Sequence, residues 1–220
     1  MDLKEITKSI YITPYDPVNN IPTIGYINGS KFSIMVDFGN SKNTIDTFET
    51  LIKKNNLKSP KLTVLTHSNI STIECLKHLK SKTVSCLSTH KKIKEIIKRN
   101  NLSDSDEKCC IHPNISFSGK IIIKLGNLTC SIVEIPSPYC DDCVAVFVKE
   151  EKTLFLADNA ADNILSDMFF NVEKAEKLVK ILSILDFNKC ILGHFNKIMT
   201  KKEILDFLKR EIDKNTKKMA

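Results

Sequence analysis

Glycine is scarce in this sequence, at six residues in 220, and tryptophan is absent. That scarcity excludes two large classes of site. No Gly-rich phosphate loop follows any candidate strand, which argues against a nucleotide-binding enzyme. No G-x-S-x-G occurs, so the strained turn that presents a serine nucleophile has no candidate. Long apolar runs are missing as well. The first ten residues, MDLKEITKSI, hold no signal-type apolar core, and no run approaches the roughly 20 residues of a membrane span. The expectation is a cytoplasmic protein that does not enter a membrane.

Aromatic residues make up only 7% of the chain. They do not interleave with the basic clusters HKKIKEIIKR and KNTKKMA as a base-stacking surface requires. The formal charge of +7 is therefore read as solvated helix faces, and nucleic acid is not the expected partner. Eight cysteines are present, but without a secretory signal their even number does not imply disulfides. Cys75, Cys86, Cys130 and Cys190 fall in apolar runs and read as small buried hydrophobes. The surplus of Lys, Asn and Ile resembles a genomic base-composition bias more than a functional signal.

What remains is an ordinary globular composition, 42% hydrophobic and 27% charged, with no linker to divide it. One domain over residues 1–220 is expected. Short β-branched runs come first: SIYIT, TIGYIN and FSIMVD, the last two separated by an Asn28-Gly29 turn signal. SKNTIDTFETLIKKNN follows with Ile45, Phe48, Leu51 and Ile52 at helical spacing. LTVLTH reads as a buried strand, and STIECLKHL behind it as a helix opened by a Ser71–Glu74 capping box. TVSCLS, IIIKLG, LTCSIVEI, CVAVFVK, TLFLAD and NKCILGH read as further strands. THKKIKEIIKRNN, VEKAEKLVKILSIL and TKKEILDFLKREI read as helices, the last capped by Thr200 and Glu203. Strands punctuated by helices predict sheets flanked by helices, an α/β fold.

Three apolar strands end on a residue of metal-ligand type: LTVLTH on His67, TLFLAD on Asp158 and KCILGH on His194. Side chains at strand ends can converge on one edge of a sheet, where sites are commonly built. A lone histidine closing a buried strand would otherwise be a satisfied core imidazole.

With those residues in hand, the chain resembles the metallo-β-lactamase superfamily over nearly its whole length. MVDFGN looks like the family's strand-ending Asp-x-Gly turn, carried by Asp37 and Gly39. LTHSNIST stands where the family has its Thr-His-x-His-x-Asp-His loop, TLFLADN where it has the metal-bridging aspartate, and CILGHF where it has its terminal Gly-His. The resemblance implies an αββα four-layer sandwich of two mixed sheets and metal-dependent hydrolysis at a close pair of ions. The departures are as specific. His67 keeps the first histidine, but Asn69 stands at the second, Ser71 at the aspartate and Thr72 at the last, while Tyr139 falls nearest the mid-chain histidine.

Carried over residue by residue, the metal set is His67, Asp158 and His194, with Asn69, Tyr139 or Cys140 as further donors and Asp37, Ser71 and Thr72 behind them. Such a set implies one Zn, Fe or Mn ion, or none if the site is vestigial, since His67 and His194 can also pair with Asp158 directly. Two functions stay open: hydrolysis of an unidentified substrate at a single-metal centre, and non-catalytic binding of a small molecule or protein in the same cleft. Cys140-Asp141-Asp142-Cys143 is a lone C-x-x-C whose carboxylates disfavour a reactive thiolate. The amphipathic C-terminal helix leaves room for a homodimer.

Overall fold

A computed structural model of the chain describes residues 1–69, 73–100, 112–158 and 170–219. The first half of the chain builds a seven-stranded sheet, in spatial order β1 (Lys4–Thr7), β2 (Ile10–Thr13), β3 (Ile24–Asn28), β4 (Ser33–Val36), β5 (Leu62–Val64), β6 (Lys82–Cys86) and β7 (Ile115–Phe117). The pairs from β1 to β4 are antiparallel, and those from β4 to β7 are parallel. The second half builds a five-stranded sheet: β8 (Lys120–Lys124), β9 (Thr129–Glu134), β10 (Val144–Val148), β11 (Thr153–Ala157) and β12 (Lys189–Leu192). Only its β11–β12 pair is parallel. Four helices complete the described elements: α1 (Lys42–Lys54), α2 (Leu87–Arg99), α3 (Val172–Ile184) and α4 (Lys201–Met219).

Three apolar layers hold this arrangement. Between the sheets, Ile10, Ile27, Ile34, Val36, Val64 and Val84 meet Cys130, Ile132, Val144, Val146, Phe155 and Ile191. On the outer face of the larger sheet, Tyr26, Met35 and Leu65 pack with Phe48 and Ile52 of α1 and Ile93 and Ile97 of α2. On the outer face of the smaller sheet, Leu154, Leu156 and Leu192 pack with Leu178 and Leu182 of α3 and Ile204 and Leu208 of α4. The αββα sandwich expected from the resemblance is therefore present. Strands β4 and β11 are buried along their whole length because both their faces are covered. This is why they read as continuous apolar runs rather than as alternating ones.

Local chemistry fixes the helix starts. The Ser41 hydroxyl accepts from Thr44 N at 3.1 Å ahead of α1, and Asn171 Oδ1 accepts from Lys174 N at 2.9 Å ahead of α3. Thr200 and Glu203 form a reciprocal box before α4: Thr200 N donates to Glu203 Oε2 at 2.7 Å and Glu203 N donates to Thr200 Oγ1 at 3.2 Å. The start of the helix expected after His67, with Ser71 of its capping box, lies outside the described residues; Ile73 is helical, its N donating to Asn69 O at 3.2 Å, and a 3-10 turn follows at Leu76–His78. Cys75, Cys86, Cys130 and Cys190 are buried, as the apolar runs implied. Burial, with the charge of Glu150 adding to it, pushes the Cys130 thiol up to about 12.

Ile132 lies fully buried at the centre of the inter-sheet layer. Ile132→Ala is expected to cost about 2–5 kcal/mol in urea denaturation, the range for an unrefilled core cavity.

Candidate functional site

Four strand ends meet where the sheets open. β4 runs into Asp37 and β5 into Thr66-His67 on the larger sheet, while β11 runs into Asp158 and β12 into Gly193-His194 on the smaller. Because β4–β5 and β11–β12 are parallel neighbours, each pair delivers its two ends to the same edge. Two non-glycine residues take left-handed backbone angles there, Asp37 (φ 54°) and Ala157 (φ 46°). Backbone strain of this kind persists only where the surroundings enforce it. At Ala157 it accompanies a shift in the β11–β12 register, which turns Asp158 off the end of its strand.

The side chains form a connected chain of contacts. Thr66 N donates to Asp37 Oδ1 at 3.0 Å, and the Thr66 hydroxyl donates to Asp37 Oδ2 at 2.7 Å. Thr66 Oγ1 lies 3.0 Å from His67 Nδ1. The hydroxyl proton is already directed at Asp37, so His67 Nδ1 is the donor in that last contact. Neutral His67 is thereby fixed as its Nδ1–H tautomer, with a bare lone pair on Nε2. That Nε2 faces Asp158 Oδ2 at 3.3 Å, and His194 Nε2 faces the same oxygen at 3.4 Å. Two acceptors face each other across the His67–Asp158 contact, so it holds only with a cation on the line between them, either a proton on the imidazole or a metal ion.

Burial opposes charge on Asp158, but the hydrogen bond from His194 and the positive charges of His67 and His194 outweigh it and hold the carboxyl below its ordinary range. His194 moves the other way. Burial disfavours its cation, and the hydrogen bond and charge of Asp158, helped by Asp37, more than offset this and raise its pKa. Desolvation dominates at Asp37 and pushes its carboxyl up against the charge of His67 and the two Thr66 hydrogen bonds. Among the described residues His194 Nδ1 is buried without a hydrogen-bond partner, and the Tyr15 ring stands edge-on to the imidazole with centroids 5.1 Å apart.

Gly193 is required by the Asp158 carboxylate beside it. A Cβ at position 193 would fall 2.1 Å from Asp158 Oδ1. The cleft around these groups encloses about 520 Å³ of free space open to solvent, and Phe38, Leu65, Ile73, Leu76 and Ile93 give it an apolar wall.

The structure thus brings together His67, Asp158 and His194, with Asp37 behind His67. Asn69 also lines the cleft, whereas Tyr139 and Cys140 are not among its lining residues. Tyr139 packs edge-on to Phe170. Cys140 is joined to Cys143 by a disulfide, which corrects its reading as a soft donor, since a bonded sulfur carries no thiolate. Ser71 and Thr72 lie outside the described residues. Sequence reasoning gave no role to Thr66, Tyr15 or Asp142, and took Gly193 only as the glycine of the terminal Gly-His. Asp142 is 1% exposed, and its place beside the apolar run CVAVFV was the available signal of a buried charge.

Among the described residues, no group of three or more His, Cys, Asp or Glu side chains is arranged as a metal cage. The trio stands instead as two imidazoles paired to one carboxylate oxygen. Its donor chemistry, two nitrogens and a carboxylate with an open position, fits a single divalent ion. Among the described residues, Asn69 adds only a neutral amide to this set.

No protein-family model matches the sequence, and no curated protein matches it. Solved structures do. A metallo-β-lactamase from Pontibacter korlensis superposes with a TM-score of 0.73 at 16% identity, covering 94% of this chain and 98% of that one. The metallo-β-lactamase FIM-1 from Pseudomonas aeruginosa, in a mono-zinc form, gives 0.71 at 12% identity over 97% and 95%. The sec-alkylsulfatase Pisa1 from Pseudomonas sp. gives 0.70 at 13% identity over 96% of this chain and 41% of its own. The chain has the metallo-β-lactamase fold.

A pH dependence follows for the metal-free protein. Asp158 lies below its ordinary 3.8, so its contribution to stability is present above that value and is lost as the pH falls through the lowered one. His194 lies above its ordinary 6.5, so its contribution is complete below 6.5 and is lost as the pH rises through the raised value. With chelator present, Tm is expected to fall above pH 6.5, and Asp158→Asn should flatten that limb in a thermal-melt series. Gly193→Ala should displace Asp158 and reproduce the flattening.

Proposed function

We propose that this chain is a metallo-β-lactamase-fold hydrolase reduced to a single-metal centre held by His67, Asp158 and His194. The observation that carries the reading is the Asp37–Thr66–His67 chain of contacts, which sets the His67 ring so that its Nε2 faces Asp158 Oδ2. A metal-binding histidine is characteristically set in this way, its second nitrogen tied to an outer partner that fixes tautomer and orientation. A divalent ion there would supply a Lewis acid and a bound water of lowered pKa.

The chain's own residues account for the rest. Thr66 and Asp37 hold the His67 ring, Asp158 provides the negative charge, and Gly193 gives that carboxylate room. The apolar wall excludes water and takes the uncharged part of a substrate. The lining contains no lysine or arginine among the described residues, which favours a neutral acyl substrate, an ester, thioester or amide, over one recognised through a formal anion. A second reading has support in the trio itself, because His194 already donates to Asp158 and holds its charge. On that reading the cleft binds a small molecule without metal.

Metal analysis by inductively coupled plasma mass spectrometry, on untagged protein purified without chelator, separates the two. The single-metal reading expects close to one equivalent of zinc, iron or manganese, lost in His67→Ala with the circular dichroism spectrum unchanged. It also expects Thr66→Val, which cuts the relay, to weaken metal affinity roughly 10–100-fold. Metal absent even after incubation with excess zinc would sink it in favour of the metal-free cleft.

A further inference from the structure

The backbone on both sides of His67 is held by one short segment of the other sheet. Val144 N, at the start of β10, donates to Thr66 O at 2.9 Å, just before His67. Asp142 Oδ2 accepts from Ser68 N at 2.8 Å, just after it. Asp142 is withdrawn from water, at 1% exposed, and its other oxygen receives Lys92 Nζ of α2 at 2.9 Å. Its carbonyl accepts from the Thr89 hydroxyl at 2.6 Å. One buried side chain therefore joins the His67 loop, helix α2 and the start of β10. A buried carboxylate with fixed partners resists movement, because leaving any partner unpaired is costly.

Asp142 also sits inside a ring of four residues closed by the Cys140–Cys143 disulfide. Cys143 is buried at 3% exposed, and Cys140 is the more accessible of the two sulfurs. The ring constrains the backbone on both sides of Asp142.

We propose that Asp142 is a positioning residue for His67, and that the Cys140–Cys143 disulfide is a redox-sensitive clasp holding Asp142 in place. A thiolate of an incoming dithiol attacks the accessible Cys140 sulfur. The S–S bond breaks, and Cys143 leaves as a thiolate and takes up a proton. The reductant's second thiol then closes on the mixed disulfide and releases Cys140 as a thiol. Two electrons pass from the dithiol to the ring, giving two protein thiols and the oxidised reductant. With the ring open, Asp142 no longer holds Ser68 N, and His67 is no longer held against Asp158. The consequence for metal rests on the single-metal reading, but the geometry of the clasp does not.

Amide hydrogen exchange by NMR on metal-free protein tests the clasp directly. Reduction with dithiothreitol is expected to speed exchange at the Ser68 amide at least tenfold, with Ile132 unchanged. Asp142→Ala should reproduce that acceleration and no longer respond to dithiothreitol. Asp142→Asn keeps an acceptor oxygen and should fall between. If Asp142→Ala fails to fold, the Cys140→Ser/Cys143→Ser double variant serves in its place and should match reduced wild type. An unchanged Ser68 amide on reduction would overturn the proposal. So would a uniform acceleration of all amides, which would make the disulfide a general staple. Zinc affinity, compared between oxidised wild type and the double variant, is expected to drop roughly 10–100-fold. A Ser68 response in a protein that binds no zinc overturns the single-metal reading and leaves the clasp standing. Equal zinc affinity with an unresponsive Ser68 overturns the clasp alone.

Discussion

A carboxylate taken out of water must find charge partners or hydrogen-bond donors inside the protein, and three aspartates at one edge of this fold impose that demand together. Asp158 meets it with two imidazoles, Asp37 with the amide and hydroxyl of Thr66, and Asp142 with the Ser68 amide and the Lys92 ammonium. No solution lies within a single strand. Asp158 reaches across to His67 on the other sheet, and Asp142 reaches from the smaller sheet to the His67 loop and α2. The electrostatic requirement of each carboxylate thus becomes a cross-link, and together the cross-links decide how the two sheets sit at this edge.

The backbone follows from the same requirement. Asp37 and Ala157 hold left-handed angles that neither residue favours, each where a strand has just ended and a carboxylate must be turned into the cleft. Gly193 lets the last of these strands approach without displacing Asp158. Direct hydrogen bonds between the sheets, Thr23 N to Gly193 O at 2.7 Å and Val144 N to Thr66 O at 2.9 Å, set the spacing that the side chains then use. The apolar core brings the sheets face to face, and these polar contacts fix their register at the rim.

Much of this was legible in the sequence, and the reason is burial. Strands covered on both faces appear as unbroken apolar runs, so a ligand-type residue closing such a run stands out, as His67, Asp158 and His194 did. Edge strands carry no such mark. β1, KEIT, and β7, ISF, are short and largely exposed, and sequence reading passed over both. Tyr139 was placed by its nearness to the family's mid-chain histidine and Cys140 as a thiol beside it, whereas the structure sends one to Phe170 and the other to Cys143. Asp142 was hidden because a partner 74 residues away leaves no local periodicity.

The division of labour between the two sheets has one more consequence. Every strand of the larger sheet comes from Lys4–Phe117 and every strand of the smaller from Lys120–Leu192, with Gly119 in a left-handed turn (φ 71°) between them. Each half brings one carboxylate and one histidine to the site. As the chain leaves the ribosome, the first half can pair its strands and settle Asp37 against Thr66 before the second exists, but His67 then faces open water. Only when β11 has been made and docked does the imidazole find Asp158, and His194 joins them with β12. The closure of the site registers that both halves have arrived and been joined in the correct alignment.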